Sequence, residues 1–183
     1  MNKKHIKAWL DSMEIENYTI NDDLTVDVDG HVYLSMRSLT SIPVQFGSVN
    51  GTFRCAHNQL TSLAGCPSSV SGSFWCHNNK LILLTGCPVS VGSDFWCSDN
   101  QLTSLVGCPS SVNGNFSCYN NKLTSLAGCP SNVMDDFCCY KNQLTSLSGC
   151  PSSIGGDFHC DTYLKECREY KRYEVMKKVQ QLT

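Results

Sequence analysis

Cys55, Cys76, Cys97, Cys118, Cys139 and Cys160 lie 21 residues apart without a slip. Cys66, Cys87, Cys108, Cys129 and Cys150 keep the same period, as do Phe53, Phe74, Phe95, Phe116, Phe137 and Phe158. Asn58, Asn79, Asn100, Asn121 and Asn142 keep it too. A unit this short buries its apolar side only against copies of itself, so a fixed period of this length implies a stacked repeat array. One unit reads Val-x-x-x-Phe-x-Cys-x-x-Asn-x-Leu-Thr-Ser-Leu-x-Gly-Cys-Pro-x-Ser. A worn copy precedes the series: Val28, Gly30, Val32, Leu34, Leu39 and Ile42 stand 21 residues before Val49, Gly51, Phe53, Cys55, Leu60 and Leu63.

Alternation around Phe-x-Cys is a period-two strand signal. One strand per unit leaves no room for hairpins, so successive strands stack in parallel about 4.8 Å apart with Phe and Cys inward. The Asn column falls at the bend after the strand, where its amide is placed to bond backbone groups that the bend leaves unpaired. Pro67, Pro88, Pro109, Pro130 and Pro151 exclude a long helix from the return leg, which is expected to be extended or a short 3₁₀ turn. Gly51, Gly72, Gly114 and Gly156 are expected at positive φ, and Asp29-Gly30 is read as a hairpin turn. Open solenoid ends need caps. Ile6, Trp9, Leu10 and Met13 follow helical spacing at one end. At the other, Tyr163 replaces the ladder Asn and a helix is predicted over about 162–181, its stripe Leu164, Cys167, Val175 and Leu182 covering the last coil. The expectation is a single domain over 1–183: an N-terminal cap at 1–27, repeats at 28–160 and a C-terminal capping helix at 161–183.

Hydrophobic residues make up 41% of the 183 and charged residues 16%, so a sizeable core is available and the surface must be wetted by Ser, Asn and Thr. The net charge of −2 and the lack of a basic stripe argue against general nucleic-acid binding. Thirteen cysteines would suit a secreted disulfide scaffold. No apolar run of signal length follows the opening basic residues, however, and two columns in register look like core filler. The expectation is a reduced, cytoplasmic protein in which Cys138, out of column, carries an exposed thiol. His5, His31, His57, His77 and His159 show no metal or triad spacing. No P-loop, dinucleotide fingerprint or H-E-x-x-H occurs. A non-enzymatic chain without cofactor or metal is expected.

If Phe and Cys face inward, the residues flanking them face out. The column before Phe holds Thr52, Ser73, Asp94, Asn115, Asp136 and Asp157. The column between Phe and Cys holds Tyr33, Arg54, Trp75, Trp96, Ser117, Cys138 and His159, and the column after Cys includes His77, Tyr119 and Tyr140. Two tryptophans in adjacent register on an outward face suit an interface, which enriches Trp, Tyr and Arg. A cross-strand pair that only stiffens the sheet is the competing reading.

The unit resembles the leucine-rich repeat family, L-x-x-L-x-L-x-x-N-x-L, with Phe and Cys in place of strand leucines. The 21-residue form with Gly-Cys-Pro is similar, more narrowly, to leucine-rich repeat proteins of tailed bacteriophages. The resemblance implies a horseshoe with a curved parallel β-sheet, a short N-terminal helix, a C-terminal capping helix, and action inside a bacterial host. The expected function is then protein binding, with a host enzyme or defence factor inhibited by occlusion. The candidate contact residues are Tyr33, Arg54, Trp75, His77, Asp94, Trp96, Tyr119, Asp136, Tyr140 and His159 on the concave face. Base stacking on a nucleotide or single-stranded nucleic acid and a structural role in the virion are the alternatives.

Overall fold

A computed structural model describes residues 1–180. The stripe member Leu182 lies outside them. After helix α1 (Lys3–Ser12) and strands β1 (Tyr18–Ile20) and β2 (Thr25–Val28), the chain winds as a β-solenoid of about six turns. Each coil contributes one short strand at Phe-x and one at the Val column. In chain order these are β3 (Val32–Tyr33), β4 (Gln45–Val49), β5 (Phe53–Arg54), β6 (Ser69–Val70), β7 (Phe74–Trp75), β8 (Ser90–Val91), β9 (Phe95–Trp96), β10 (Ser111–Val112), β11 (Phe116–Ser117), β12 (Asn132–Val133), β13 (Phe137–Cys138), β14 (Ser153–Ile154) and β15 (Phe158–His159). A 3₁₀ turn (Thr162–Leu164) and helix α2 (Arg168–Gln180) follow.

The odd-numbered strands from β3 to β15 form one seven-stranded parallel sheet, with every Phe opposite the next Phe. The return leg is extended, as expected, and also builds a second face. That face comprises a five-stranded sheet, β1-β2-β4-β6-β8, and a three-stranded sheet, β10-β12-β14. The core lies between the two faces. In-register stacking sets the rings of Phe53, Phe74, Phe95, Phe116 and Phe137 between 5.4 and 5.8 Å apart in sequence, within the range of favourable aromatic pairs. Leu60, Leu63 and their later equivalents fill the rest of the coil interior.

The asparagine column acts as the sequence suggests. Asn79 Oδ1 accepts the Leu60 N–H at 2.9 Å, while its Nδ2 donates to the carbonyls of Cys55 and Cys76 at 3.0 and 3.1 Å. Asn100, Asn121 and Asn142 repeat this pattern coil by coil. The residue ahead of each, His57, Asn78, Asp99, Asn120 or Lys141, turns through a left-handed φ of 52–54°.

Two backbone expectations are corrected. Gly51, Gly72, Gly114 and Gly156 are not at positive φ; a Cβ on Gly51 would strike the carbonyl of Gly30 in the preceding coil. The left-handed glycines belong to Gly-Cys-Pro, from Gly65 to Gly149, at φ between 84° and 101°. Asp29-Gly30 is no hairpin turn either. It is a corner between sheets, since β2 pairs with β1 and β4 whereas β3 pairs with β5.

At the N-terminal end, Asn2 caps α1 through its side chain, and Ile6 and Leu10 are buried. Trp9 packs on Phe46 at 6.4 Å, and β1 covers the edge of β2 in antiparallel register. The C-terminal cap differs from the predicted stripe. Leu164 is buried and Cys167 half-buried, but Val175 is 61% exposed, alongside exposed Met176 and Val179. Tyr170 and Tyr173 face the last coil instead, against Phe158 at 5.5 Å each. The Tyr173 hydroxyl accepts the Phe158 N–H at 3.1 Å and donates to the Gly156 carbonyl at 2.9 Å. In each earlier coil the Phe N–H donates to a carbonyl of the next coil, and the carbonyls of Gly51, Gly72, Gly114 and Asp135 accept from it, so the phenol takes the place of a following coil.

All thirteen cysteines are free thiols. The Phe-x-Cys column is buried, but in the Gly-Cys-Pro column Cys108, Cys129 and Cys150 are half-buried. Cys138 is half-buried rather than exposed, and burial pushes its pKa up to about 11. Burial likewise lifts Cys87 and Cys129 to about 12, and Cys108 and Cys118 well above the ordinary thiol range. Thiols whose pKa rises on folding stay protonated where the unfolded chain has ionised. Their contribution is therefore complete below about pH 8.5 and is lost as pH rises toward the folded values.

Two outcomes follow from this packing. In reducing buffer, the urea midpoint should be level up to about pH 8 and already be falling by about pH 9.5, ahead of the tyrosine and lysine midpoints. A midpoint flat across that interval would count against a thiol-filled core. Tyr173→Phe keeps the ring and removes only the hydroxyl, so it should cost about 1–3 kcal/mol by leaving the Phe158 N–H and Gly156 carbonyl unpaired. Equal stability of the variant and the parent in urea titration would show that water serves this edge as well.

Candidate interaction face

The seven-stranded sheet turns one side to the core and the other outward, and its outward columns are the ones the repeat leaves free to vary. Parallel in-register pairing sets Tyr33 beside Arg54, Arg54 beside Trp75, and Trp75 beside Trp96. The two indoles stack with centroids 4.6 Å apart and planes 4° from parallel. The Arg54 guanidinium carbon sits 3.8 Å from the Trp75 ring centroid and 5.3 Å from that of Tyr33. The result is one column in which a planar cation is clamped between aromatic plates, a favourable cation–π arrangement.

Beside this column, His77 leans on Trp75 and Trp96 at 6.1 and 5.6 Å and on His57 at 5.0 Å. Burial, with His57 close by, lowers the His77 pKa, so this imidazole is neutral at pH 7. Two coils on, Tyr119 and Tyr140 form a second stack at 4.8 Å and 1°. The blocks are offset: where the rings of Tyr119 and Tyr140 stand, the neighbouring column holds Ser117, which is buried, and Cys138. His159 is exposed at the end of that column, with Nε2 4.0 Å from Asp136. Asp136, Asp157 and His159 each bring a ligand atom within 4.8 Å of the others, and Lys177 is already paired with Asp157.

The indoles are half-buried, stacked on each other and flanked by Arg54 and His77. Stiffening and display are therefore both served by the stack. The Nε1 atoms of Trp75 and Trp96, Nε of Arg54 and Nδ1 of His77 are covered and have no hydrogen-bond partner among the described residues. A covered, unpaired polar atom costs about 1–3 kcal/mol. Phenylalanine would stack without that cost, so sheet stability alone does not explain tryptophan at both positions.

The column before Phe has a task that sequence reasoning missed. The His31 ring nitrogen Nδ1 accepts the Thr52 N–H at 2.9 Å, Thr52 Oγ1 accepts the Ser73 N–H, and Ser73 Oγ accepts the Asp94 N–H. Asp94 Oδ1 takes the Asn115 N–H at 2.9 Å, Asn115 Oδ1 the Asp136 N–H at 3.1 Å, and Asp136 Oδ1 the Asp157 N–H at 2.6 Å. Each side chain thus receives the amide of its own equivalent one coil later, and Asp157, the last, pairs with Lys177 of α2. Lys177 holds the Asp157 carboxyl below its ordinary range. The signal was present as a column confined to His, Thr, Ser, Asp and Asn, all with an acceptor two bonds beyond Cβ or nearer. Asp94 and Asp136 therefore carry structure as well as outward charge.

Comparison with protein-family models, curated proteins and solved structures found no match to this chain. The residues themselves carry the functional reading.

The ladder gives a direct test. Asp94→Asn keeps an acceptor for the Asn115 N–H and should leave stability within about 0.5 kcal/mol, whereas Asp94→Ala should cost about 1–2 kcal/mol. Urea titration of both variants measures this, and equal losses would remove the ladder as the reason for the column.

Proposed function

We propose that this chain is a non-enzymatic protein-binding module, a leucine-rich repeat of the kind tailed bacteriophages encode, whose outward aromatic face docks on a protein of the bacterial host. The observation that carries the reading is the Trp75–Trp96 stack with its unpaired indole N–H groups. Interface anchors are typically Trp, Tyr and Arg, and all three types occupy this one face. The repeat itself asks for none of them. Tyr33, Arg54, Trp75, Trp96, His77, Tyr119 and Tyr140 supply contact area, and Asp94, Asp136 and His159 supply orientation. Docking of this face on an enzyme or defence factor would inhibit it by occlusion, with charge setting the approach.

The test is affinity capture from nuclease-treated bacterial lysate with the tagged full chain, followed by binding measurements on the captured protein. Trp75→Ser with Trp96→Ser should lower affinity about a hundredfold or more. Loss of the ring stack should at the same time lower the melting temperature by only a few degrees. Thr61→Ala with Thr124→Ala, both on exposed turns, should change neither. A tryptophan variant that binds as the parent does would place the interface elsewhere. One that unfolds would make the stack a structural device.

A further inference from the structure

The tryptophan stack is closed at one end and open at the other. At the closed end a guanidinium, that of Arg54, lies on the outer face of Trp75. At the other end the next position in register is Ser117, whose side chain is too small to continue the stack. The far face of Trp96 has no ring or cation stacked on it among the described residues. Beyond Trp96 the stack therefore gives way to the small, largely covered Ser117, and the space that matters lies outward of it.

The sides of that space carry a definite character. On one side Tyr119 lies two residues along the same coil from Ser117, with Tyr140 stacked behind it. On the other lies the acceptor ladder, where Asn115 sits between Asp94 and Asp136. The ladder uses Oδ1 of Asp136 and leaves Oδ2 facing His159 at 4.0 Å. Of the nearest cationic side chains, Lys177 is held by Asp157 and Lys141 lies over Tyr140 at 5.9 Å. Arg54 is on the far side of both indoles. A flat indole face, two phenols and two carboxylates, among the described residues Asp94 bonded only by the neutral Ser73 and Asn115 and Asp136 facing only His159, form a seat for a planar cation.

We infer that the space over Ser117 receives an arginine side chain of the protein partner, stacked on Trp96 as Arg54 stacks on Trp75 and balanced by Asp94 and Asp136. Lysine fits less well, because an ammonium lacks the flat face that pairs with indole. The inference rests on the outward sheet being the binding face, and it assigns the chemistry that face selects.

The probe is the tripeptide acetyl-Gly-Arg-Gly-amide, titrated into the full chain at low salt while the Trp96 indole N–H resonance is followed. It should shift that resonance saturably. The citrulline counterpart, equal in shape but neutral, should bind at least about fivefold more weakly, and the lysine counterpart should fall between them. Ser117→Tyr fills the seat by extending the stack and should abolish the response. Asp94→Asn with Asp136→Asn preserves the ladder, removes both charges and should weaken binding about fivefold or more. The asparagine variant decides the question should Ser117→Tyr fail to fold. Equal binding of the arginine and citrulline peptides, or an unchanged response in the asparagine variant, would overturn the inference. A captured partner that binds Ser117→Tyr normally yet needs the two tryptophans would remove the seat and leave the face. Saturable arginine binding with a partner indifferent to both tryptophans would keep the seat and remove the face.

Discussion

From Asn58 to Asn142, each coil of this protein lends a side-chain amide to the coil before it. The bend after each Phe-x-Cys strand leaves backbone carbonyls pointing inward and a leucine N–H without a strand partner. Asparagine answers both from one side chain, donating to carbonyls in two successive coils and accepting from the earlier one. Leucine of the same size would leave three buried groups unpaired, at about 1–3 kcal/mol each. The left-handed residue ahead of the asparagine aims the side chain inward. With that bend fixed, the strand, the leucine layer and the return leg have one register available, and the phenylalanines must stack on themselves.

The same in-register rule explains what could be read from the residues alone. Phe, Cys, Asn and Leu announce their roles because each column sees the same surroundings in every coil. The second sheet was hidden by its brevity: a Ser-Val pair is too short to show alternation. The two glycine columns were confused because composition does not separate a left-handed turn from a close backbone approach. Gly65 needs the first and Gly51 the second. Helix α2 misled for another reason. Its aliphatic residues suggested the buried stripe, but the docking contacts are made by Tyr170, Tyr173 and Lys177, whose partners are strand-edge groups with no trace in the local sequence.

For the candidate site, the residue types were legible and their arrangement was not. Trp75 and Trp96 stood out as tryptophans in register, yet their parallel stacking, the clamped Arg54 and the unpaired indole N–H groups needed coordinates. Asp94 and Asp136 looked like free charges and turn out to be rungs of a backbone-capping ladder as well. Outward display and fold support share the same side chains here. A column that must supply an acceptor to the next coil still leaves a choice among Ser, Thr, Asn and Asp, and that choice sets the charge of the face.

The cap of α2 recognises the last coil largely through features the coils share, a strand N–H and a corner carbonyl, with a ladder carboxylate added at Asp157. It would therefore fit the end of a shorter or longer array. Insertion of one 21-residue unit between the coils of Trp96 and Tyr119 would move the tryptophan pair away from the tyrosine pair by one strand spacing, about 4.8 Å, without disturbing either end. Distance along this face is thus a digital quantity. Copying a whole unit can change the span between the two aromatic stacks while the strand N–H and corner carbonyl that Tyr173 reads stay the same.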